Sequence, residues 1–263
     1  MTAIEALFAA LSGGVVGIVL GLVGGGGSIL AVPLLVYLVG VNNPHVAIGT
    51  SALSVAASAA SALIGHARAG TVKWRCALMF AAAGSMGAIG GSSLGKAIDG
   101  QRLLFLFAIV MIVVGVTMLR DRGDPGNPDV VCTRTNAPKV VGFGLGSGAF
   151  SGFFGIGGGF LIMPGLVAAT GMPMLNAIGS SLVAVTMFGL TTAVSYAVSG
   201  LIDWPLAAAF VGGGIIGSLI GGAASRRLAQ KTATLKTVFA VLIFCVAAYM
   251  LWESSPFFGK DYD

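Results

Sequence analysis

Gly24-Gly25-Gly26-Gly27-Ser28-Ile29-Leu30-Ala31-Val32-Pro33 sets four glycines and a proline inside an apolar stretch from 4 to 39. Glycine runs are poor helix formers, so this stretch cannot be one uninterrupted helix. The pattern returns as Gly155-Ile156-Gly157-Gly158-Gly159-Phe160-Leu161-Ile162-Met163-Pro164. After a one-residue gap near Asn42 and Asn43, Ala47-Ile48-Gly49-Thr50-Ser51 matches Ala177-Ile178-Gly179-Ser180-Ser181. The register persists through Gly70 and Gly200, Trp74 and Trp204, Gly84 and Gly214, Gly87 and Gly217, and Gly91 and Gly221. Chance does not hold one offset that long, and the chain reads as two copies of one unit.

Around these breaks the chain has no polar coat. Apolar residues make up 56% of the 263, charged residues 9%, and the mean hydropathy is +0.98. Soluble domains carry about 25% charged residues. The remaining apolar stretches run near 46–65, 76–94, 103–119, 140–171, 177–198, 205–224 and 236–252. Most reach the roughly 20 residues that a membrane span needs. The sequence therefore predicts an all-α integral membrane protein. Its domains are an N-terminal membrane repeat over 1–119, a polar linker over 120–139 containing Asp124-Pro125-Gly126-Asn127-Pro128, and a C-terminal membrane repeat over 140–263. The start, Met1-Thr2-Ala3-Ile4-Glu5, lacks the basic region and cleavage pattern of a signal peptide and reads as mature sequence.

The net charge of +5 does not imply a nucleic-acid partner, because the basic residues sit in short loops between apolar runs. Their placement instead argues topology. With both halves facing the same way, the fourteen Lys and Arg divide eight against six. With the halves inverted, Arg68, Lys73, Arg75, Arg120, Arg122, Arg134, Lys139, Arg226, Arg227, Lys231 and Lys236 share one side and only Lys96, Arg102 and Lys260 lie opposite. The positive-inside rule favours two inverted-topology repeats, with a cytoplasmic linker and both termini outside. An odd number of crossings per half follows, so residues 4–39 make two crossings or none. Either way each glycine run is followed by a broken or re-entrant helix.

Irregular backbone at membrane depth is tolerated only where protein buries it or water lines it. A helix restarting near Ser28 or Gly159 leaves unpaired N–H groups and a positive dipole end, which together suit an anion. The expected substrate site therefore comprises Gly25, Gly26, Gly27 and Ser28, with Gly157, Gly158 and Gly159 from the second copy. Gly49, Thr50 and Ser51 with Gly179, Ser180 and Ser181, at the start of the next apolar runs, add hydroxyl donors. Gly13, Gly17 and Gly21, matched by Gly144, Gly148 and Gly152, are spaced for close helix packing and receive no site role.

Other residues are read as structural. Glu5, Asp99 and Asp203 fall at span edges, so no buried carboxylate marks a proton or sodium relay. His66 near Arg68, and Trp74 with Trp204, read as interfacial. Cys76, Cys132 and Cys245 are odd in number, show no metal-ligand spacing and suggest no disulfide. An intramembrane enzyme lacks its residues: His45 and His66 are the only histidines, and no metal or phosphate-loop motif occurs. No catalytic residue, metal or cofactor is expected.

The segments Gly24 to Pro33, Ala47 to Ser51, Gly155 to Pro164 and Ala177 to Ser181 resemble those of the sulfite exporter TauE/SafE family over nearly the whole chain. The resemblance implies a bacterial inner-membrane permease for a small sulfur-containing anion such as sulfite, sulfoacetate or another organosulfonate. The expected partners are thus a small anionic substrate and the lipid bilayer. An anion channel, or a permease for another small anion, uses the same backbone chemistry and stays open as an alternative.

Overall fold

Helix boundaries in the computed structural model follow the turn residues. The structure describes residues 3–120, 127, 130, 132, 136–154, 159–228, 244, 247 and 248. Helix α1 (Ala3–Val23) ends at Gly24, whose φ of 73° reverses the chain. The return arm is a 3₁₀ segment Gly24–Leu30, one α-turn α2 (Ala31–Pro33) and a π-helical turn Leu34–Leu38. Gly27 lands so close to the Leu20 backbone that a β-carbon there would overlap it. With 21 residues α1 is about 31 Å long, enough for a membrane core, whereas the arm is too short and irregular to match it.

α3 (Pro44–Arg68) starts with proline in the first turn and Asn43 as cap, the Asn43 side chain accepting the His45 N–H at 2.9 Å. α4 (Trp74–Lys96), α5 (Gly100–Arg120), α6 (Ala137–Phe154), α7 (Gly159–Thr170), α8 (Met174–Val198) and α9 (Trp204–Leu228) follow. The stretches Ala3–Leu38, Pro44–Arg68, Trp74–Lys96, Met174–Val198 and Trp204–Ser225 are long and apolar enough to cross a membrane. The described residues contain no strand, and the fold is all-helical as expected.

Glycine decides which helices meet. A β-carbon on Gly13, Gly17 or Gly21 would strike α9 backbone at Phe210, Gly214 and Ser218 in turn. One on Gly144, Gly148 or Gly152 would strike α4 at Phe80, Gly84 and Ala88. Both series confirm the packing role read for these glycines, and both climb in step, so α1 runs parallel to α9 and α6 parallel to α4. Hydrogen bonds place Ser61 beside Ser218 and His66 beside Ser225, which makes α3 parallel to α9 as well. Lys73 beside Ser180 and Ser92 beside Ser195 make α8 parallel to α4. Because the start of each of α3 and α8 meets the chain that follows the other, these two helices cross antiparallel at the centre.

Four expectations change. Cys76 and Cys132 form a disulfide with their Cα atoms 5.4 Å apart, since the first turn of α4 lies beside the linker, a proximity that an odd cysteine count cannot reveal. Cys245 lies outside the described residues. His66 keeps its expected place at the end of a span, in the last turn of α3, but is fully buried rather than exposed there, because that face of α3 turns toward α9. Gly49 and Gly179 sit in the second turns of α3 and α8, not at helix starts. α6 begins at Ala137, inside the range read as linker.

Candidate functional site

The first glycine break is seated on the second half of the chain. At Gly24 a β-carbon would lie 2.6 Å from Ser181 Oγ and 3.1 Å from Ile178 Cα, so glycine is required there for space as well as for its positive φ. The next N–H, of Gly25, donates to Ser181 Oγ at 3.3 Å. Ser181 in turn gives its proton to the Ile178 carbonyl at 2.8 Å, and Ser28 gives its own to the Gly25 carbonyl at 2.9 Å. Gly25, Gly26, Gly27, Ser28 and Ser181 are all buried.

On the other side of the centre, Gly159 opens α7, which packs against the 3₁₀ segment, α6 and α8. Gly157 and Gly158 lie outside the described residues. What can be seen thus brings Gly25 and Ser181 together, and sets α7 against the arm that carries Gly25 to Ser28.

The two Gly-hydroxyl pairs serve a second purpose that their sequence does not advertise. Thr50 Oγ1 accepts the Asp203 N–H at 3.1 Å, and Ser180 Oγ accepts the Lys73 N–H at 2.9 Å. Beside them Gly49 lies against the Leu201 carbonyl, and a β-carbon at Gly179 would lie 2.8 Å from Thr71 Oγ1. Asn176 adds a bond from its side-chain amide to the Thr71 carbonyl at 3.0 Å. Each start of α3 or α8 therefore receives the turn before α9 or α4 from the other half. Ser51 spends its hydroxyl proton on the Ile48 carbonyl at 2.9 Å.

Chemically, this centre is neutral and rich in backbone. The buried polar side chains among the described residues are serines, threonines, His66 and Tyr196, with no carboxylate, lysine or arginine. No cluster of three metal-ligating side chains occurs among them either. With hydroxyl protons of Ser28, Ser51 and Ser181 held by carbonyls, donor capacity toward an anion rests on the main chain and on reorientation of these side chains. A groove of about 670 Å³ lies elsewhere, lined by Val110, Val113, Phe143, Phe150 and Leu161 with Lys139 at its edge, and its apolar walls do not suit a small anion.

Comparison with known proteins agrees with the membrane architecture. Residues 9–250 match the family described as sulfite exporter TauE/SafE. A probable membrane transporter protein of Xylella fastidiosa (strain 9a5c) is 51% identical over 92% of this chain and 94% of its own length. The probable membrane transporter protein YunE of Bacillus subtilis (strain 168) is 27% identical over 91% of this chain and 94% of its own. One from Haemophilus influenzae (strain ATCC 51907 / DSM 11121 / KW20 / Rd) is 28% identical over 93% and 97%. No solved structure matches. With five stretches able to cross a membrane and a family match over most of its length, this multi-pass membrane protein belongs to the TauE/SafE sulfite exporter family of membrane transporters.

Proposed function

We propose that the protein is a secondary permease that carries a small sulfur-containing anion, such as sulfite or an organosulfonate, across the bacterial inner membrane. The observation that carries this reading is the bond from Gly25 N–H to Ser181 Oγ, which seats the broken helix of one half on the second turn of α8 in the other. Substrate sites of inverted-repeat transporters lie where discontinuous helices of the two halves meet. The parallel pairing of α1 with α9 and of α6 with α4, together with the antiparallel crossing of α3 and α8, supports an inverted arrangement of residues 1–119 and 140–263 about a cytoplasmic linker.

In this reading Gly25, Gly26, Gly27, Ser28 and Ser181 approach the anion from one side. Gly157, Gly158, Gly159 and Ser51 approach it from the other. Gly49, Thr50, Gly179 and Ser180 hold the walls. Glycine lets main-chain N–H groups reach a sulfur oxyanion, and no carboxylate repels it. Uptake of radiolabelled sulfite, sulfoacetate and thiosulfate into reconstituted vesicles tests the assignment. Saturable flux with counterflow is the expected result. Weakly saturable conductance would reassign the protein as an anion channel, and no flux of any of the three would end the sulfur-anion reading.

A further inference from the structure

His66 and Tyr196 are the titratable side chains among the fully buried residues described within the apolar helices, and of the two only an imidazole ordinarily changes charge near neutrality, which calls for a role. The hydrogen bonds of His66 suit the tautomer protonated at Nδ1. Thr71 Oγ1 lies 3.1 Å from the His66 carbonyl and 3.0 Å from Nδ1, and with the hydroxyl proton on the carbonyl the ring proton sits on Nδ1. The lone pair of the neutral ring is then on Nε2, which faces Ser225 Oγ on α9 at 3.4 Å.

From Ser225 the seam between α3 and α9 continues as hydroxyls. Ser61 and Ser218 are 2.6 Å apart, and Ser58 lies one turn further on α3. Ser58 Oγ is buried without a hydrogen-bond partner among the described residues, and so is Ser12 Oγ on α1. A β-carbon on Gly214 would overlap Ser58 Oγ and lie 3.3 Å from Ser54 Oγ, so glycine leaves room for both hydroxyls.

Packing alone does not demand this row, as the other half shows. There the positions equivalent to Ser54, Ser58, Ser218 and His66 are Ala184, Phe188, Ala88 and Tyr196, all buried. Phe188 fills the space beside Gly84 that its counterpart leaves to hydroxyls beside Gly214. At the level of Phe188 one seam is therefore plugged where the other keeps hydroxyls, while nearer its end the α4–α8 seam carries its own polar contacts among Ser92, Lys96, Ser195 and Ser199.

We propose that His66 is the proton-binding residue of a proton-coupled carrier, loaded along the Ser54, Ser58, Ser61, Ser218 and Ser225 seam. This inference rests on the anion-permease reading and deepens it by naming the coupling ion. A proton from water joins the Nε2 lone pair to give imidazolium, and its release to the opposite side restores the neutral ring. The charged residues of α3, α5 and α9 and of the turn after α3 are basic by sequence: Arg68 on α3, Lys73 in the following turn, Arg102 and Arg120 in α5, and Arg226 and Arg227 after Ser225 in α9. α8 brings none, and α1 only Glu5 in its first turn. A buried imidazolium is stabilised by an anion bound nearby, which ties protonation to substrate occupancy.

Two measurements on the full-length protein test this. The first is hydrogen–deuterium exchange at the imidazole C2 position of His66, read by mass spectrometry over about pH 5 to 8, the range where histidine titrates. A sigmoidal profile is expected, together with its loss in Ser58→Phe, which copies the plug already accommodated at Phe188. A flat wild-type profile overturns the proposal whichever anion is carried, and so does an unchanged profile in Ser58→Phe. The second is sulfoacetate uptake under an inward acid gradient, chosen because a sulfonate carries no titrating proton of its own near neutrality. Stimulation in wild type and its loss in His66→Gln are expected, and stimulation retained in His66→Gln overturns the coupling role. Absence of sulfoacetate uptake at any pH counts against the substrate assignment, and the exchange profile then decides the fate of His66.

Discussion

The backbone N–H of Lys73 donates to Ser180 Oγ at 2.9 Å, joining the turn between α3 and α4 to the second turn of α8. Its counterpart joins Asp203 N–H to Thr50 Oγ1 at 3.1 Å. These bonds make each half hold the other half's turn. Removing one acceptor leaves a partly buried N–H unpaired, at a cost of about 1 kcal/mol. Ser180→Ala and Thr50→Val should each lower the melting temperature in detergent, and the double variant should lower it further because the sites are distant. Melting unchanged in both single variants would show that the turns are held by other contacts.

The Cys76–Cys132 pair and the basic loops pull the orientation in opposite directions. Eleven of fourteen basic residues place the linker in the cytoplasm under an inverted topology, while disulfides are rare in that compartment. Both cysteines are buried, 2% and 4% exposed, which shields the thiols from oxidants, so the pair can stay reduced in the cytoplasm although its sulfurs lie within bonding reach. Free thiols are therefore expected at both positions in acid-quenched cells, with the disulfide appearing on purification. Cysteines placed at positions 2 and 260 should react with an impermeant reagent in intact cells. A disulfide already complete in quenched cells, with termini protected, would reverse the orientation.

How far the sequence reveals this fold depends on what each residue encodes locally. The helix break at Gly24 is legible, since a glycine run followed by Pro33 cannot continue α1, and the packing glycines on α1 and α6 announce themselves by their spacing. The double duty of Thr50 and Ser180 is not legible, because a hydroxyl early in a helix reads the same whether it faces a ligand or a distant N–H. His66 misleads for a related reason. Its neighbour Arg68 suggests an interface, and only the parallel packing of α3 on α9 shows that its ring turns inward to Ser225.

Substrate charge provides a test that does not depend on knowing the natural ligand. The buried polar side chains at the centre include no carboxylate among the described residues, and the donors available are main-chain N–H groups and hydroxyls. Such a site favours anions over cations. Sodium salts of organosulfonates should compete with labelled sulfite, whereas choline chloride at the same concentration should not. Equal inhibition by both would rule out selection by backbone dipoles.

The glycines themselves separate a binding role from a packing role. Gly87 meets the Leu145 carbonyl and Gly217 the Gly14 carbonyl, so a leucine at either place must push two helices apart, at a cost of roughly 1–3 kcal/mol. Those variants should lose folded yield along with flux. Gly26 lies in the break rather than in a helix seam, and Gly158 is its expected counterpart. A leucine there places an apolar side chain where the proposal needs N–H groups to approach an oxyanion, yet it adds nothing that a membrane-embedded chain cannot insert. Transport by Gly26→Leu and Gly158→Leu should fall sharply while elution in detergent stays monodisperse. The deciding quantity is flux per folded molecule, because it removes differences in yield from the comparison. Wild-type flux per folded molecule in both variants would make the breaks simple turns and move the site elsewhere.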